Sequence, residues 1–111
     1  MRINPLTVAA AAILLGAIAL TAPAGAYAQS DGAKLFKSNC VLCHGADGTG
    51  NSPTGKALKA KDLGSTEVQE QTDVALTDAI SKGKGKMPAF GGKLKADDIK
   101  ALLAYVRALK K

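Results

Sequence analysis

Residues 39–45 read NCVLCHG, and this short stretch contains both cysteines and the only histidine of the 111-residue chain. Few chemistries need two thiols three residues apart with an imidazole directly behind the second. A disulfide between Cys40 and Cys43 closes so short a loop that it constrains the unfolded chain little. A thioredoxin-like pair expects a strand before the motif and a βαβ pattern around it, and neither surrounds this one. A structural zinc site needs a fourth ligand, and the chain offers no other cysteine or histidine.

Covalent attachment of haem uses every part of the motif. The two thiols add to the two vinyl groups of a porphyrin, and the adjacent imidazole is carried under the ring to bind iron. With one histidine in the chain, its falling directly behind Cys43 by chance has odds of about one in a hundred. Iron has a sixth position, and the only methionine besides the initiator is Met87, in GKGKMPAFGG. A thioether is a soft ligand suited to reduced iron. Met87 sits among lysines and glycines and before Pro88, unlike a gap-filling methionine on an apolar helix stripe. The expected cofactor is therefore one haem c, with Cys40 and Cys43 as its thioether attachments and His44 and Met87 as axial ligands of the iron.

The chain opens with Arg2, then an uncharged apolar run from Leu6 to Leu20, then small residues ending Ala26-Tyr27-Ala28. That order predicts a secretory signal over residues 1–28, cleaved to leave a single domain at 29–111. The strongly apolar part is shorter than the roughly 20 residues needed to span a bilayer, so no stable membrane anchor is expected after cleavage. Loss of Arg2 leaves fourteen basic and nine acidic residues, about +5, on an exported protein. The lysines are not interleaved with aromatic stacking residues, which argues against nucleic acid and for an acidic protein surface as partner. A domain of this size builds only a small core from side chains alone, so something else is expected to fill its middle.

No alternating apolar and polar run suggests a half-buried strand, and the chain reads as helices joined by glycine-rich loops. Ser30 or Asp31 is expected to cap a first helix that carries Leu35 and Phe36 up to Cys40. Residues 45–64 read as loop, with one short turn over Lys56 to Lys61. Thr72 or Asp73 caps a helix over Asp73 to Lys82, with Val74, Leu76, Ala79 and Ile80 on its apolar side and Gly83 at its end. A last helix shows Ile99, Leu102, Leu103, Val106 and Leu109 at helical spacing, with Asp97 and Asp98 at its positive end and Lys110 and Lys111 at its negative end.

With these residues in place, the chain resembles the class I c-type cytochromes over nearly all of 31–111. The resemblance rests on Gly32 and Phe36, on Cys40, Cys43 and His44, on Met87-Pro88, and on Leu102 and Tyr105. The segment MPAFGGKLKADDIKALLAYVRAL is particularly similar to the cytochrome c6 and c553 group, whereas the middle of the chain is less so. The resemblance implies an all-α fold, a small class I cytochrome c in which helices wrap one covalently attached haem. It implies a close crossing of first and last helices at Gly32, with Phe36 and Tyr105 packed beside it. It also assigns Pro53 as the proline whose carbonyl holds the proximal imidazole. At Lys95 relatives often place a serine or threonine cap, and a lysine cannot accept that hydrogen bond, a loss of about 1 kcal/mol.

The function expected is a soluble, monomeric electron carrier, not an enzyme, working in a periplasm or thylakoid lumen. Lys37, Lys82, Lys84, Lys86 and Lys93 are expected to steer redox partners with acidic docking surfaces to the haem edge. Two alternatives stand beside it: a haem enzyme or gas sensor with a displaceable Met87, and an electron-transfer subunit of a larger redox complex. The chain shows no second histidine and no distal acid-base pair near Met87 that would serve the first.

Overall fold

The computed structural model describes residues 16–20 and 24–111. Residues 1–15 and 21–23, which hold most of the expected signal sequence, lie outside the described residues. Among the described residues all regular structure is helical, apart from one isolated bridge between Lys84 and Met87, and no helix is long and apolar enough to cross a membrane.

Helix α1 (Ala24–Asn39) begins upstream of its expected caps, so Ser30 and Asp31 lie inside it. The reason is local: Ala24, Ala26 and Ala28 are strong helix formers and extend the helix back across the expected cleavage site. The Cys40 amide donates to the Phe36 carbonyl at 2.8 Å, so the chain runs without a break into α2 (Val41–His44), a single turn made of the motif itself.

Helix α3 (Pro53–Leu58) starts three residues before the expected turn. Ser52 accepts from the Gly55 amide at 2.9 Å and Pro53 occupies the first turn, where its missing N–H costs nothing. Ser65 caps α4 (Thr66–Gln69), a four-residue turn that periodicity could not reveal. Helix α5 (Asp73–Lys82) has the expected bounds, and of the two candidate caps it is Thr72 that accepts from the Ala75 amide, at 3.1 Å. Leu76 and Ile80 are buried one turn apart, whereas Val74, two residues before Leu76, falls on the other face and is 71% exposed, contrary to expectation.

Helix α6 (Ala96–Ala108) buries Ile99, Leu102 and Val106, with Leu103 and Leu109 half-buried. Lys95 provides no side-chain acceptor at its start, but the Asp98 carboxylate accepts from the Lys95 amide at 3.1 Å, which supplies half of a capping box. Beyond the helix, the Lys111 amide donates to the Gly64 carbonyl at 3.2 Å and its ammonium pairs with Asp62.

Helices α1 and α6 make the central crossing. A Cβ built on Gly32 would lie 2.9 Å from the Tyr105 Cβ and would run into the Ala101 carbonyl oxygen, so only glycine permits this approach. Phe36 and Tyr105 pack beside it as a tilted pair with centroids 4.8 Å apart. Around the crossing lie two clusters, Phe36, Ile80, Phe90, Ile99 and Leu102 in one and Val68, Leu76 and Val106 in the other. Leu63 packs against both, and members of both line one cavity.

Candidate functional site

The cavity measures about 550 Å³ and opens to solvent. Its walls include Phe36, Leu76, Ile80 and Leu102, and all four residues singled out from the sequence, Cys40, Cys43, His44 and Met87, line it as well. The sequence separation of 43 residues between His44 and Met87 is thus closed by the fold.

Cys40 and Cys43 reach the cavity because α2 begins where α1 ends. The turn is then clamped from behind by α3. The Ser52 hydroxyl lies 2.7 Å from the Leu42 carbonyl and 3.0 Å from that of Cys43, and the same oxygen accepts from Gly55. Gly55 packs so close to α2 that a Cβ there would run into the Cys43 carbonyl. Burial pushes the Cys40 thiol up to about 11, with the neighbouring Cys43 adding to the effect. A redox-active or zinc-binding thiol pair wants the opposite, an easily formed thiolate. Thioether formation leaves no ionisable group, so it suits this burial.

His44 Nδ1 lies 2.9 Å from the Lys61 carbonyl oxygen. A carbonyl only accepts, so Nδ1 carries the proton and Nε2 keeps its lone pair for a metal. The carbonyl expected from the resemblance was that of Pro53; the structure corrects this, because Pro53 is spent on starting α3 and the chain returns to the imidazole only after that helix, at Lys61. The Lys61 ammonium in turn pairs with Glu67 at 2.8 Å, and this bond holds the Glu67 carboxyl below the usual carboxylate range.

Met87 lies on the turn that follows α5. Lys84 and Met87 exchange both backbone hydrogen bonds, at 3.0 and 3.1 Å, and the Phe90 and Gly91 amides donate to Ile80 and Ser81 at 2.9 and 3.0 Å. Gly83 turns the chain with φ 75°, and a Cβ there would stand 2.6 Å from the Met87 carbonyl oxygen. The turn is a hydrogen-bonded structure hung from the end of α5, and Met87 is half-buried against the first cluster.

Of the five lysines expected at the edge, Lys84 and Lys86 line the cavity, while Lys37, Lys82 and Lys93 do not. Lys82 pairs with Asp78 at 3.4 Å, and Lys93 lies 5.7 Å from the Phe90 ring centre. Lys59 and Lys61, which sequence reasoning missed, also line it. Lys59 ends α3 in the left-handed conformation, φ 56°, a position that only the completed helix defines.

The donor set and the space fit a covalently held haem. The cavity size lies within the roughly 300–1,000 Å³ of small-molecule sites, and its walls are mostly apolar.

The chain matches the family model described as cytochrome c oxidase, cbb3-type, subunit III, over residues 28–106. It is 42% identical to cytochrome c6 of Microcystis aeruginosa, over 70% of this chain and 93% of that protein. It is 39% identical to the cbb3-type cytochrome c oxidase subunit FixP of Bradyrhizobium diazoefficiens, over 75% of this chain but 28% of FixP. Among solved structures, the KustC0563 c-type cytochrome superposes with a TM-score of 0.68 at 35% identity, covering 73% of this chain and 99% of that one.

Proposed function

Because the chain belongs to the c-type cytochromes, we propose that it is a soluble carrier of single electrons whose haem is attached at Cys40 and Cys43 and ligated by His44 and Met87. Electron transfer is the function of the family, and its cofactor is covalently bound haem c. When bound, the group supplies a one-electron ferric/ferrous couple.

The observation that carries the ligand assignment is that one cavity gathers the motif's two thiols, an imidazole with Nε2 free, and a thioether on a separately braced turn. Each residue then has a task. The hydrogen bond from His44 Nδ1 to Lys61 fixes the ring and raises its basicity as a ligand. The thioether of Met87 and the apolar walls favour the lower charge of the reduced state, so the potential is expected to be positive. Lys59, Lys84 and Lys86 are exposed at the cavity edge and give a redox partner with acidic groups its bearing.

The mature carrier is taken to be residues 29–111, released by cleavage of the signal at 1–28 into a periplasm or thylakoid lumen, and to act as a monomer. A second reading, an electron-transfer subunit of a larger complex, is favoured by the likeness to FixP; co-purification of a stable partner with the exported protein separates the two.

The test is the visible spectrum of the exported, haem-loaded protein, ferric and ferrous, with and without carbon monoxide, for wild type and Met87→Ala. A low-spin wild type with the weak sulfur-to-iron band, inert to carbon monoxide, and a Met87→Ala variant that loses the band and binds carbon monoxide, is the expected result. A wild type that binds carbon monoxide readily refutes the ligand pair and returns the enzyme or sensor reading.

A further inference from the structure

Arg107, on the last turn of α6, makes more long-range bonds than any other charged side chain of the described residues. Its guanidinium donates to the Gln69 carbonyl at 2.8 Å, to the Gln71 carbonyl at 2.6 Å and to the Asp73 carboxylate at 2.8 and 3.0 Å. Its side chain is 30% exposed, so these bonds are partly shielded from water. The three acceptors are the end of α4, the corner after it and the first residue of α5. The Gln69 side chain locks the same corner a second time, donating to the Leu63 and Val106 carbonyls at 2.7 and 2.9 Å.

The Met87 turn hangs from the other end of α5, through Ile80, Ser81 and Gly83. A helix transmits displacement as a rigid rod, so the position of Met87 follows that of α5, and the first turn of α5 is tied to α6 by Arg107. The residues between, Val68, Gln71 and Leu76, line the cavity.

Resting on the reading that Met87 is an axial ligand, we propose that Arg107 is a positioning residue that holds α4, α5 and the Met87 turn together as one closing unit. Opening that unit to expose the sixth position of the iron breaks the Arg107 bonds, so they set the population of the open form. The loss of one hydrogen bond to a charged group shifts that population by about tenfold.

The probe is free imidazole added to the ferric, haem-loaded protein well below its melting temperature, with displacement of Met87 followed by loss of the sulfur-to-iron band. Arg107→Gln, which loses several of these bonds, is expected to accelerate displacement by at least about tenfold, and both Arg107→Lys and Asp73→Asn, the latter sparing both carbonyl bonds, by less. Unchanged rates in Arg107→Gln, with a lowered melting temperature, overturn the proposal and leave Arg107 a structural brace. If Arg107→Gln does not fold, Asp73→Asn decides: faster displacement supports the proposal and a wild-type rate overturns it. A wild-type spectrum without the band overturns the Met87 reading and this proposal with it, whereas the band with unchanged rates overturns this proposal alone.

Discussion

Replacing Gly32 with alanine sets two effects against each other. Gly32 is interior to α1, where alanine is the better helix former by about 1 kcal/mol. Against this, the new methyl would lie 2.9 Å from the Tyr105 Cβ and collide with the Ala101 carbonyl. Neither obstacle is the flexible end of a side chain, so relief requires α6 to move away from α1 along the crossing that places Phe36 and Cys40. Overpacking of a core costs about 1–3 kcal/mol, and a backbone obstacle puts this site toward the upper end. The net loss is then about 1–2 kcal/mol. For a domain of this size each kcal/mol moves the melting temperature by about 4–8 °C, so Gly32→Ala is expected to melt roughly 5–15 °C below wild type. The assay is thermal unfolding of the haem-loaded protein followed by helix ellipticity. Gly92→Ala is the control, because a Cβ there meets nothing within 4 Å, and it is expected to melt at or slightly above the wild-type temperature. A Gly32→Ala variant as stable as wild type would refute the argument that the crossing, rather than helix propensity, explains this glycine.

Lys95→Thr adds the missing acceptor to a start that already has its Asp98 half; the stability gain in denaturant unfolding should be about 1 kcal/mol, and no gain means the ladder is satisfied otherwise. The hydrogen bond from Lys111 lowers the Asp62 carboxyl from 3.8. Its contribution is therefore present above the unfolded value of 3.8 and lost as pH falls below it through the lower folded value, and Asp62→Asn should flatten stability against pH in that acid window only. Charge reversal to glutamate at Lys59, Lys84 and Lys86 should slow electron exchange with an acidic redox protein at low salt, with the difference shrinking as salt rises. An equal rate at all salt concentrations rules out these lysines as the docking edge.

What the sequence determined by itself is what neighbouring residues encode. NCVLCHG states its chemistry within seven positions, the bounds of α5 follow from Thr72 and Gly83, and the stripe of α6 from Ile99, Leu102 and Val106. Gly32 was legible only through the resemblance, as the place where helices approach. What the tertiary structure decided are pairings between distant positions and the faces that short helices present. The imidazole is held by Lys61 instead of Pro53, because the Ser52 and Pro53 start of α3 takes the chain past the ring before it returns. Lys59 and Lys61 reach the cavity while Lys93 does not, since a charge on an irregular segment has no side until the fold gives it one. Arg107 lies off the apolar stripe of α6, where spacing marks no role for it, yet its partners lie 34–38 residues away. Local patterns arise from steric and hydrogen-bonding rules within a turn or two of chain, whereas those long-range bonds exist only once the helices pack around the cavity.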